Sequence, residues 1–198
     1  MQDQTYAAHF RTTYKKEALL FDSVMIIGAT ILIALSAQFA FSVPFSPVPI
    51  TGQSFAVILT GALLGSRRGA LAIILYLLEG ISGIPVFAQA QAGLIHIFGP
   101  TGGYLLGFIP AAFLTGFLAE SGWGKNILSA IAMMTTGVIV IFVIGLSVLS
   151  IFFDGNNILA LGLYPFLPGA IIKIVFSALV FRFGWHIIKN YRKDQTKQ

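Results

Sequence analysis

Two ionisable residues stand where ions are expensive. Lys173 lies in the run Ile171-Ile172-Lys173-Ile174-Val175, and Glu79 follows Tyr76-Leu77-Leu78. An ionised side chain inside an apolar membrane segment costs a few kcal/mol unless it is paired, faces a cavity or reaches the interface. Lys173 therefore has three readings: a ligand contact, a buried ion pair, or a stem that snorkels outward. Glu79 sits at a similar depth in its own run, so a Glu79–Lys173 pair is expected if the two segments are neighbours. Gln53 and Gln91 each carry an amide with two donors and an acceptor, which suits a neutral polar ligand such as a urea or amide ring. Either would serve equally well as an ordinary interfacial residue. His96 has no carboxylate or Cys near it in sequence, so a structural role suits it better than metal ligation. Tyr104 and Phe45 are candidates for apolar walls around a ligand.

These residues do not assemble a catalytic set. The chain has no Cys, no G-x-x-x-x-G-K-[ST] phosphate loop, no G-x-S-x-G and no H-E-x-x-H. Asp22 and Asp154 border apolar segments, but on opposite sides in the arrangement read below. We expect neither an enzyme nor a bound cofactor or metal.

The elements that must position these residues follow from composition. Of 198 residues, 57% are apolar and 10% charged, and the mean hydropathy is +0.88. A water-soluble domain carries about 25% charged residues, so lipid must form part of this chain's solvent. The net charge of +5 resides in Lys and Arg at the ends of apolar runs, with no basic stripe, so nucleic-acid binding is not expected. Met1 to Glu17 is polar and the apolar run after it is too long for a cleaved signal, so the first span is expected to be retained.

Six runs read as helices: 21–42, 52–65, 70–84, 104–119, 127–153 and 166–188. A crossing takes roughly 20 apolar residues. Pro44, Pro47 and Pro49 stop the first run, since Pro lacks an N–H and breaks regular helix. Arg67 and Arg68 mark a tight turn. The Gly- and Gln-rich stretch 85–103 reads as a structured loop that partly re-enters the membrane. Arg11, Lys15, Lys16, Arg67, Arg68, Lys125 and the tail residues Lys189, Arg192, Lys193 and Lys197 all fall on one side of a six-span arrangement, and Arg182 is near enough to that side to snorkel there. The three opposite loops hold no Lys or Arg, which is the positive-inside pattern. The expectation is an all-α integral membrane protein of the cell membrane: one domain over 1–198, with a cytoplasmic segment 1–20, a compact six-helix bundle 21–188 and a cytoplasmic tail 189–198.

Irregular backbone near a membrane survives only where protein or a water-lined cavity satisfies its amides. The three loops without Lys or Arg are thus expected to wall one outward pocket, the plainer alternative being three separate surface loops. In the first span Thr30, Ala34 and Ala37 share a helical face, and small residues let helices approach closely in lipid. That face serves either internal packing or the docking of a partner.

Several stretches resemble the BioY family, the biotin-binding S components of energy-coupling-factor (ECF) transporters. They are Val48-Pro49-Ile50-Thr51 with Gln53, Gly83-Ile84-Pro85-Val86-Phe87-Ala88, Gly99-Pro100-Thr101-Gly102-Gly103-Tyr104, and Leu161-Gly162 with Pro165-Phe166-Leu167-Pro168-Gly169 and Lys173. In this order they cover residues 43 to 173. The resemblance implies biotin held near the outer face, beneath the first and third outer loops, by Gln53, Gln91, Tyr104 and Lys173, with Glu79 as a further candidate. It also implies an ECF coupling protein docked on Thr30, Ala34 and Ala37, and two ATPase subunits that supply energy. The family pattern has Asp three residues before the Lys, where this chain has Ala170, and Asn where it has Gln91. Loss of that Asp removes the lysine's nearest counter-charge and leaves a ligand carboxylate or Glu79 as its partner. The competing expectations are an S component for another small vitamin and a membrane assembly protein without a ligand.

Overall fold

The computed structural model describes residues 15–153 and 157–195, with side chains over 17–153 and 157–184. Arg11, Asp154 and Lys197 lie outside the described residues. The side chains of Lys15, Lys16, Lys189, Arg192 and Lys193 do as well.

Six helices of a dozen residues or more build the described chain: α1 Lys15–Gln38, α2 Gln53–Leu64, α3 Ser66–Ile81, α4 Gly102–Glu120, α5 Ile127–Phe152 and α6 Leu167–Gln195. A short helix, Ile158–Gly162, precedes α6. Among the described residues, four segments are long and apolar enough to cross a membrane: Glu17–Gln38, Gly102–Glu120, Ile127–Phe152 and Ile158–Gly184. The helices α2 and α3, of 12 and 16 residues, are shorter than the expectation of six full spans required. The reason lies at both ends of α2. Its N-terminal end begins only after the chain has turned back through a two-stranded hairpin, in which β1 Ala40–Phe41 pairs antiparallel with β2 Ile50–Thr51. Its C-terminal end reaches α3 through a single residue, Gly65, at φ 88°. Only glycine takes that conformation without steric cost.

That corner corrects the expected arginine turn. Arg67 and Arg68 belong to the first turn of α3, and Arg68 pairs with Asp22 of α1 at 2.9 Å. α4 also packs tightly against this corner. A Cβ at Gly116 would run into the backbone of Gly65 and Ser66. Glu120, at the end of α4, accepts hydrogen bonds from the Ser66 N–H and hydroxyl, both at 2.8 Å. A carboxylate there satisfies otherwise orphaned donors and sits at the positive end of the α3 dipole.

α4 is the central helix and packs on α2, α3 and α5. Its Gly103 and Gly107 lie against Ile141, Ile144 and Val148 of α5. α1 covers α2 and α3, while α6 covers α5 and α2. The core runs through Ile58, Ile73, Tyr76, Met133, Met134 and Phe181, all at most 1% exposed. The outer faces of α1 and α6 carry Leu, Ile, Val and Phe side chains such as Leu35, Ile172 and Phe176, as lipid-facing surfaces do.

Thr30 and Ala37 are 1% and 0% exposed, and Ala34 packs against the core. The face expected to receive a partner is therefore turned into the bundle. Its small side chains let α1 close on α2 and α3, and the Thr30 hydroxyl lies 3.2 Å from Glu79 of α3.

Candidate functional site

The three loops expected to act together lie at one end of the bundle, where α1, α3 and α5 finish and α2, α4 and α6 begin. Two of them roof a cavity of about 380 Å³. The β1–β2 hairpin contributes Ser42 and Ser46 to Pro49, and the loop between α3 and α4 contributes Phe87 to Gln89, Gln91, His96 and Gly99 to Thr101. The helices supply the walls: Gln53 and Ser54 from α2, Tyr104 and Phe108 from α4, Phe142 from α5, Ala170 and Lys173 from α6. The third loop adds Phe166 to the lining and props the hairpin and α4. Ser46 donates its hydroxyl to the Leu161 carbonyl at 2.7 Å, and Tyr104 donates to the Gly162 carbonyl at 2.8 Å.

Lys173 is the one ionic side chain among the described lining residues. Its ammonium donates to the Thr51 carbonyl and to Ser54 Oγ at 3.2 Å. An ammonium has three N–H donors, so one remains for a ligand. The expected Glu79–Lys173 pair does not form. Helices α3 and α6 are not packed neighbours, and Glu79 faces Thr30 of α1 outside the cavity lining. Lys173 thus meets only neutral oxygens. At residue 170 an alanine methyl, 7% exposed, borders the same space.

Gln53 is 4% exposed and largely committed. Its amide N–H donates to Tyr76 Oη at 2.5 Å, and its Oε1 accepts from the Thr51 hydroxyl at 3.0 Å. Tyr76 in turn donates to the Val86 carbonyl at 3.0 Å. One polar chain therefore runs Val86–Tyr76–Gln53–Thr51–Lys173–Ser54, across α3, α2, β2 and α6. Tyr76, Ser54 and the backbone carbonyls did not stand out in the sequence. A tyrosine in an apolar run looks like any interfacial aromatic, and only Gln53 in a helix facing it reveals the bond.

Tyr104 forms a wall with its ring, stacked on Phe166 at 6.3 Å and edge-on to Phe142 at 6.5 Å. Gln91 is exposed at the cavity mouth. Its neighbours Gln89 and Ala90 both adopt positive φ, 60° and 56°, a conformation costly for residues with a Cβ. The loop is held there by α1 and the hairpin: Gln38 donates to the Phe87 carbonyl and accepts from the Ala90 N–H at 3.0 Å, and Gln89 donates to Ser42 Oγ at 2.7 Å. His96 lies edge-on to Phe87 at 5.9 Å, and no metal-binding cluster occurs among the described residues. Phe45, expected as a wall, is 60% exposed and lies outside the lining. It sits at the tip of the hairpin, past the point where the chain turns away from the bundle.

Fold and site together define a helical membrane protein with a cavity of small-ligand size beneath two loops at one end. The chain belongs to the BioY family, whose model matches residues 10–190. It is 37% identical to the biotin transporter BioY of Rhizobium etli over 162 residues, 78% of this chain and 87% of that one. It is 36% identical to the biotin transporter BioY of Thermotoga maritima over 165 residues, 83% and 90% of the two chains. Among solved structures, the S-component for biotin from an ECF-type ABC transporter matches with a TM-score of 0.76 at 24% identity, over 86% of this chain and 93% of that one. That likeness establishes the fold.

Proposed function

We propose that this chain is the S component of a biotin transporter, which captures biotin in the roofed cavity and delivers it across the membrane. The observation that carries the reading is the pairing of a BioY-family bundle with a cavity of about 380 Å³ whose one described ionic group is a lysine with an unused N–H. The volume lies within the roughly 300–1,000 Å³ range of small-ligand sites. Biotin has an apolar thioether ring, a urea with donors and an acceptor, and a carboxylate tail. The aromatic wall of Tyr104, Phe142 and Phe166 suits the first, the Gln53 and Gln91 amides suit the second, and the ammonium suits the third.

In this reading the chain crosses the cell membrane six times, with both termini in the cytoplasm and the roofed end outside. The charge distribution supports that orientation. Helices α2 and α3 count as crossings because the hairpin and the 82–101 loop complete the thickness at their outer ends. The chain has no phosphate loop, so energy comes from partners: an ECF coupling protein and an ATPase pair. The coupling protein meets a face of α1 other than Thr30–Ala34–Ala37.

The test is equilibrium binding of radiolabelled biotin to the purified chain, with excess riboflavin and thiamine as competitors. We expect binding that neither competitor displaces. Lys173→Met should weaken it by about 10- to 150-fold, the worth of a hydrogen bond to a charged group at roughly 1.5–3 kcal/mol. A parent chain that retains no biotin, or that exchanges it for another vitamin, refutes the reading.

A further inference from the structure

Tyr76 lies outside the cavity lining and is 0% exposed, yet its hydroxyl dictates how the site is presented. The logic is one of hydrogen-bond polarity. The Val86 carbonyl can only accept, so the single hydroxyl proton of Tyr76 is committed to it. Tyr76 Oη must then accept from its other neighbour, which obliges Gln53 to point its NH2 end toward Tyr76. The carbonyl end of the same amide is thereby turned to Thr51, where it takes the hydroxyl proton. The Thr51 hydroxyl oxygen in turn accepts from the Gln53 backbone N–H at 3.3 Å, and the Thr51 carbonyl holds the Lys173 ammonium. A direction set at Val86 is thus passed through Tyr76 and Gln53 to the Thr51 hydroxyl, on the residue whose carbonyl holds the charged group of the cavity.

We propose that Tyr76 is a positioning residue of the ligand site: its hydroxyl fixes the orientation of the Gln53 amide that faces the cavity and ties that orientation to the roof loop at Val86. The inference rests on the biotin-capture reading above. Phenylalanine at 76 keeps the ring, which packs edge-on to Phe87 at 5.7 Å, and removes only the polarity. The Gln53 amide is then free to turn over, so its oxygen no longer has one fixed partner. A site that must be organised at the moment of binding binds more weakly than one already organised.

The experiment is a double-mutant cycle on biotin affinity with the parent chain, Tyr76→Phe, Gln53→Ala and the double variant, alongside thermal unfolding of each without ligand. Tyr76→Phe should weaken binding about five- to tenfold, the order expected for one net hydrogen bond. In the Gln53→Ala background the same change should alter affinity by less than about twofold, because the group it positions is gone. Parent-like affinity of Tyr76→Phe, or an equal loss in both backgrounds, overturns the proposal, since a purely structural tyrosine would act without regard to Gln53. If Tyr76→Phe does not yield folded protein, Tyr76→p-aminophenylalanine keeps the ring and a donor for the Val86 carbonyl but offers Gln53 only a weak acceptor. A loss of similar size that vanishes in the Gln53→Ala background then supports the proposal, and parent-like affinity overturns it. Failure of the parent chain to bind biotin is a different result: it removes the functional reading itself, and the role of Tyr76 with it.

Discussion

Gly80 offers a way to press on the cavity from behind. It lies near the C-terminal end of α3, and a Cβ built there would run into Cζ and both Cε atoms of Phe87. For ordinary contact the ring must retreat roughly 1.5–2 Å, because carbon atoms sit about 3.5–4.0 Å apart at their optimum. On one side the ring meets Tyr76, which is fully buried and edge-on at 5.7 Å. On the other lies the cavity that Phe87 helps to line. The open direction is therefore into the ligand space. In the empty protein the swing is cheap, and alanine gains up to about 1 kcal/mol of helix propensity over glycine. With ligand bound, the ring and the ligand compete for the same volume, and overpacking of this kind costs about 1–3 kcal/mol. Gly80→Ala should thus leave the unfolding midpoint of the empty protein close to that of the parent, while weakening biotin binding by about 5- to 150-fold. Phe87→Leu in the same chain should recover most of the loss by shortening the displaced group. Radioligand binding with a parallel thermal melt reads both quantities. Parent-like affinity in Gly80→Ala, or a large loss of empty-state stability with affinity intact, would refute the reasoning, because the ring would then have moved elsewhere.

Two further changes separate the roof from its surroundings. Ser46→Ala removes the hydroxyl that joins the hairpin to the Leu161 carbonyl. It should raise the biotin off-rate about three- to tenfold in a pulse-chase, the effect of one net hydrogen bond of roughly 0.5–1.5 kcal/mol. An unchanged off-rate would mean that the bond to Leu161 does not hold the hairpin over the ligand. Glu79→Gln keeps an acceptor for Thr30 and lies outside the cavity lining, so biotin affinity should stay within about twofold of the parent, the scatter expected for a site not in contact. A tenfold loss would put Glu79 back in the site.

What the sequence settled follows from its solvents. Apolar runs bounded by Pro and Gly yield helices in any tertiary setting, because a backbone in lipid has to satisfy its own hydrogen bonds. The helix beginning at Ile127 was legible for that reason, as was the gathering of the loops without Lys or Arg at one end. The first helix instead stops at Gln38, because residues 40–41 pair with 50–51 as a hairpin. The motifs around Thr51, Gly99 to Tyr104 and Lys173 led to the family directly. What the sequence could not fix was which neighbour each polar group would meet. Lys173 and Glu79 have complementary charge and similar depth, yet α3 and α6 lie apart, so each found other partners. Thr30, Ala34 and Ala37 would suit either side of α1, and only the close approach of α2 and α3 turned them inward. Periodicity assigns a residue to a face of its own helix. The direction that face points, and the hydrogen-bond polarity running from Val86 to the Thr51 hydroxyl, arise when helices distant in sequence pack together and each donor must find an acceptor away from water.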